Sequence, residues 1–114
     1  MPAYAVGILH DLRPHQDIVA YLENIDATLA PFGGRFIVHG AAPEVREGSF
    51  RAAFVVIEFA GLDEVRAWYD SEGYQAIVPL RAEHSKSVVF FVDGIVGPHA
   101  ATDVLKPGVH YEKP

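Results

Sequence analysis

The 114-residue sequence contains no cysteine. That removes disulfides, thiolate nucleophiles and cysteine-based zinc or iron–sulfur sites, and it leaves the redox compartment open. Basic residues are scarce as well. Nine Lys and Arg stand against fifteen Asp and Glu, and the net charge of −6 is the wrong sign for gripping a phosphate backbone, so nucleic acid is not an expected partner. Long hydrophobic runs are missing: the N-terminal MPAYAVGILHDLRP has no basic leader, and its apolar run stops at His10 and Asp11, too early for a signal peptide or a membrane span. The expectation is a soluble, cytoplasmic protein without a membrane partner.

Three chemical signatures are absent too. No glycine loop cradles phosphate, because Gly33-Gly34 follow a helical pattern and precede a strand, the reverse of the dinucleotide-binding order; they suit a helix C-terminus. The serine and threonine hydroxyls have no nucleophile-elbow glycines around them, so covalent hydrolase chemistry has no support. The six histidines, His10, His15, His39, His84, His99 and His110, show no HxH or HExxH pairing that places two on one local face, so neither a metal centre nor a cofactor is expected.

What is present is apolar substance. Half of the residues are hydrophobic, enough for one domain to bury a core without staples. AYAVGILH at residues 3–10 is short and nearly continuous in apolar residues, which predicts a strand buried on both faces. Pro14, at an expected first helical position, opens a stripe of Ile18, Tyr21, Leu22, Ile25 and Leu29 at helical spacing, ended by Pro31 and Gly33-Gly34. RFIVHG (35–40) is a second strand. AAPEVREGS (41–49) reads as an exposed loop, and AAFVVIEFA (52–60) as a third strand. Leu62, Val65, Trp68 and Tyr69 mark a second short helix, which Ser71-Glu72-Gly73 interrupts. A further turn over Tyr74 to Val78 precedes Pro79, and SVVFFVDGIV (87–96) is the fourth strand.

The order βαββαβ predicts an α+β, ferredoxin-like domain over residues 1–96, a four-stranded antiparallel sheet with both helices on one face. Yet strands three and four are apolar at both parities: Phe54 and Val56 alternate with Val55, Ile57 and Phe59, and Val88, Phe90 and Val92 with Val89 and Phe91. Helices cover one face only, so the other is expected to meet a second copy of the sheet in a two-fold dimer. The remainder, residues 97–114, is rich in Pro and Gly and reads as an extended arm, disordered or pinned across the neighbour by Val104, Leu105 and Tyr111.

Candidate chemistry lies in a few polar groups. His10 shares a strand face with Tyr4, Val6 and Ile8, and strict alternation groups His39 with Arg35 and Ile37. Either imidazole is a candidate general acid or base, against the plainer reading as a solvated strand end. In AWYDSEGYQAIVPLR (67–81), Trp68 continues a core stripe and Asp70-Ser71 read as a turn. Tyr74 and Arg81 flank an apolar turn and together suit a small carboxylate or enolate, the competing reading being that Arg81 caps carbonyls or pairs with Glu83 or Asp70.

WYDSEGYQAIVPLR, with GGRFIVHG before it and VVIEF between, resembles the domain-of-unknown-function family numbered 1330, of the dimeric α/β-barrel superfamily. The likeness runs from Tyr4 to Gly94, and the family's motif falls on Gly34, Arg35, Glu58, Trp68, Tyr69, Ser71, Tyr74 and Arg81; Gly73 stands where an acidic residue is usual. The resemblance implies two ferredoxin-like subunits packed sheet to sheet. The family has no settled activity, so the site is read from the residues themselves: a small anionic or aromatic ligand held by Arg81, Tyr74, Tyr69 and Arg35, with His39, His10 and Tyr74 as catalytic candidates. Relatives in the wider superfamily oxygenate, isomerise or cyclise small aromatic or polyketide-like substrates without a cofactor. The other expectation is a non-catalytic metabolite-binding or assembly module.

Overall fold

The computed structural model describes residues 1–105. Its elements run β1 (Ala3–His10), α1 (Gln16–Leu29), β2 (Arg35–His39), β3 (Ala53–Phe59), α2 (Leu62–Asp70), α3 (Glu72–Ala82) and β4 (Lys86–Asp93), with 3₁₀ turns at Ala30–Phe32 and Ala101–Leu105. The sheet is antiparallel in the order β2-β3-β1-β4, so each β-to-β crossover skips a strand and the helices lie on one face, the ferredoxin-like arrangement. Among the described residues, no helix is long and apolar enough to cross a membrane.

Small residues on the central strand shape the core. On the helix side of β1 stand Ala3, Ala5 and Gly7, opposite Phe59, Ile57 and Val55 of β3 and beside Phe91 and Val89 of β4. From the helices come Tyr21, Ile25 and Leu29 at four-residue spacing, with Val65, Trp68 and Tyr74. Trp68 is fully buried, its ring against Phe59 and Tyr74, and its indole N–H donates to Thr28 Oγ1 at 3.0 Å. Leu22, expected in the α1 stripe, is half exposed.

Local chemistry corrects three expected boundaries. The α1 helix begins at Gln16, not Pro14, because His15 is the N-cap: its backbone is extended and its Nδ1 accepts the Asp17 N–H at 3.0 Å. Helix α3 does not stop before Pro79 but continues through it to Ala82. Proline has no N–H to offer the carbonyl four residues back, that of Gln75, and the helix tolerates this because Gln75 and Pro79 are both exposed. Finally, residues 97–105 are not extended throughout, since Ala100 and Asp103 exchange hydrogen bonds at the start of the 3₁₀ turn. His110 and Tyr111 lie outside the described residues.

Side chains facing away from the helices are covered only in part, Phe50 packing edge-on against Phe54 at one end. Tyr4, Val6 and Ile8 of β1 pair with Val92, Phe90 and Val88 of β4 and with Glu58, Val56 and Phe54 of β3. Val88, Phe90 and Val92 are 51%, 43% and 45% exposed, a contiguous apolar stripe rather than scattered residues.

Candidate functional site

Because the middle of β1 presents only the small Ala5 and Gly7 toward the helices, the layers do not close fully, and a cavity of about 460 Å³ remains between the sheet and α1 and α3. Its wall is mostly apolar, with Leu9, Ile18, Ile25, Phe36, Val55 and Val89 among the lining residues. It reaches the exposed Gly40–Pro43 segment at the end of the sheet where β1 and β2 finish, and opens there.

Tyr21, Tyr74 and Arg81 bring polar groups into this wall. Ser71 closes α2 and opens α3: its Oγ donates to the Trp68 carbonyl at 2.6 Å and accepts the Tyr74 N–H at 3.2 Å. The cap fixes where α3 starts, and hence where Tyr74 points. Arg81 follows seven residues later, two turns along, on the same helix face. Tyr74 Oη and Tyr21 Oη share a hydrogen bond of 2.8 Å, and the Arg81 guanidinium carbon lies 5.7 Å from the centre of the Tyr21 ring.

Arg81 is only 6% exposed, and among the described residues no carboxylate lies within salt-bridge distance of it; the alternative partners Glu83 and Asp70 are not engaged. Burial acts to lower its pKa, but the Tyr74 and Tyr21 phenols outweigh burial and the net direction is upward, so the group stays cationic. Burial pushes the Tyr21 phenol well above its ordinary value, with Tyr74 adding to the shift and Arg81 opposing it. Two phenols joined by one hydrogen bond retain one O–H between them. That proton and the guanidinium N–H groups form a donor set suited to an anionic oxygen.

The sequence-derived candidates divide cleanly. Tyr74, Arg81 and His39 all line the cavity, but His39 arrives there by a route that alternation along β2 does not predict. A register shift between Phe36 and Val38 puts His39 opposite Val55 on the helix side, stacked on Phe36 with ring centres 4.3 Å apart. It therefore does not share a face with Arg35. His10 lies on the open face at the exposed end of β1, opposite Lys86. Arg35 is also on that face, where its guanidinium donates to Glu58 Oε1 across the β2–β3 pair. Tyr69 packs between Trp68, Tyr74 and Phe91 and bridges α2 to β4 behind Tyr74. Tyr21 is the residue sequence reasoning passed over, having counted it only as part of a core stripe. The clue was a hydroxyl at a buried position of that stripe.

A second cluster is one that histidine spacing along the chain does not reveal. His15, Asp17 and His84 place one ligand atom each within 4.8 Å of one another, although 69 positions separate the two histidines along the chain.

The sequence profile of the family described as "Domain of unknown function (DUF1330)" matches residues 2–95, and the chain belongs to that family. Among solved structures it is similar to the RPA0582 protein of unknown function from Rhodopseudomonas palustris, at 12% identity with 84% of each chain covered and a TM-score of 0.61. A variant of SnoaB, a cofactor-independent oxygenase from Streptomyces nogalater, matches at 13% identity over 84% of this chain and 95% of that one, TM-score 0.60. A dimeric ferredoxin-like protein of unknown function from Jannaschia sp. CCS1 matches at 12% identity over 82% and 100%, TM-score 0.58. No curated protein matches the chain.

Proposed function

We propose that the protein is a homodimer that binds a small organic anion, a carboxylate or enolate with a flat apolar body, in the cavity between sheet and helices. The observation that carries this reading is Arg81: a buried cation with no acidic partner among the described residues, set in an apolar wall beside two phenols. Removing a charge from water is costly unless something compensates it, and an anionic ligand oxygen supplies the missing partner. A volume near 460 Å³ suits a ligand of one or two rings. Developing negative charge on such a ligand would be stabilised by donors already in place, and a proton would move through Tyr74 inside or His39 at the opening. The catalytic version is cofactor-independent oxygenation, isomerisation or cyclisation; SnoaB, similar in fold, is a cofactor-independent oxygenase.

Binding without turnover is the second reading. It is favoured by the position of His39, stacked on Phe36 at an exposed strand end rather than beside the two phenols. A thermal-shift screen of aromatic and aliphatic acids separates the possibilities. A charge-assisted contact contributes about 1.5–3 kcal/mol, so Arg81→Met should weaken a hit at least about tenfold while Arg81→Lys retains part of it. Turnover lost in Tyr74→Phe or His39→Gln supports the enzyme. Hits that bind wild type and Arg81→Met equally would overturn the site.

A further inference from the structure

We infer that His15, Asp17 and His84 form a binding site for a divalent transition-metal ion of the zinc and nickel type, separate from the Arg81 cavity. Asp17 Oδ2 lies 3.0 Å from His84 Nε2 and 3.5 Å from His15 Nδ1. Bonds of about 2.0–2.2 Å from one ion to three such atoms require ligand separations of roughly 3 Å or slightly more, so the two pairs that include Asp17 already stand near polyhedron edges, and all three donors lie within 4.8 Å of one another. Two imidazoles and one carboxylate suit borderline ions rather than calcium or magnesium. Three protein ligands leave a position for water or a further ligand.

The three residues are held from different directions. His15 and Asp17 belong to the first turn of α1, where the cap geometry sets their backbone. His84 belongs to the turn between α3 and β4, and that turn is tied to the segment before α1 twice: Arg13 N–H donates to the His84 carbonyl at 2.9 Å, and the Arg13 guanidinium to the Glu83 carbonyl at 2.9 Å. His84 and Asp17 are partly buried, so solvent does not fully screen the carboxylate. The imidazole rings stack with centres 3.8 Å apart and 15° between planes. Joint ligation therefore turns the His15 ring out of its stack and exchanges its bond to the Asp17 N–H for a bond to the ion. Neither histidine lines the Arg81 cavity, though the cluster stands at the same end of the sheet as its opening.

Isothermal titration of chelator-treated full-length protein with zinc chloride, and separately with nickel chloride, tests the site. One ion per chain in the micromolar range or tighter is expected, with affinity falling at least tenfold in His84→Gln and in Asp17→Asn. His84→Gln alters a turn rather than a helix, and circular dichroism melts establish that both variants fold. Absence of saturable binding overturns the inference, and so does binding unchanged in both variants, which would assign the ion to other histidines. Loss of acid binding in Arg81→Met leaves these outcomes untouched.

Discussion

Arg81 and Tyr21 decide the character of the cavity, and each does so through what surrounds it. A guanidinium in water carries little information; the same group at 6% exposure beside two phenols is a preorganised donor set. Tyr21 also shifts upward but for a different reason, holding its proton far beyond the usual range because burial disfavours the phenolate. The unfolded chain releases that proton near pH 10 and the folded chain keeps it. The contribution is therefore complete below about pH 10 and is lost as pH rises through and above that value. Thermal melts across roughly pH 9 to 11 should fall less steeply for Tyr21→Phe than for wild type, and parallel slopes would show that Tyr21 does not carry the alkaline instability.

At the scale of elements, two adjacent glycines serve different needs. Gly33 adopts φ 71° and ends the 3₁₀ turn after α1, a left-handed conformation that L side chains resist. Gly34 leads into β2 with no such φ, but a Cβ there would lie 2.7 Å from both Leu29 Cδ2 and Phe59 Cε2. These are buried core atoms with little room to retreat. Gly34→Ala should accordingly lower stability by about 1–3 kcal/mol in denaturant melts, through overpacking. A change within about 0.5 kcal/mol would mean that the α1–β3 contact yields easily. The same contact sets the approach of α1 to the sheet, so the variant also reports on how rigidly Tyr21 is held.

The whole molecule presents one covered face and one bare face, and strand β4 has a phenylalanine on each. Phe91 packs inward against Tyr69, whereas Phe90 stands 43% exposed among Val88, Val92 and Val6. Charging these neighbours should have opposite consequences. Phe90→Asp should give a folded monomer of 12.5 kDa in sedimentation where wild type gives twice that mass, because a carboxylate buried between two apolar sheets is strongly disfavoured. Phe91→Asp should instead destroy the cooperative melt, since it puts the charge in the core. Wild-type protein sedimenting as a monomer at micromolar concentration would remove the dimer.

Much of this architecture is legible along the chain. The period-two and period-3.6 patterns place four strands and the helices within a few residues, because amphipathic repeats are written by neighbours a turn apart. The two-faced apolar strands already called for something against the open face, and Trp68 was readable as core from its stripe alone. The site was legible only in part. Tyr74 and Arg81 share a helix face because of spacing, yet that face becomes a cavity wall only where Ala5 and Gly7 leave space beneath it. The bulge that turns His39 toward Phe36 depends on the β3 register, the bond between Tyr21 and Tyr74 on the docking of α1 against α3, and the meeting of His15 with His84 on two hydrogen bonds from Arg13, one from its backbone and one from its guanidinium. Each is a relation between residues distant in the chain, set by packing and hydrogen bonding rather than by local propensity. Composition and periodicity determine the layers of this protein; which side chains share the space between them was decided by the tertiary fold.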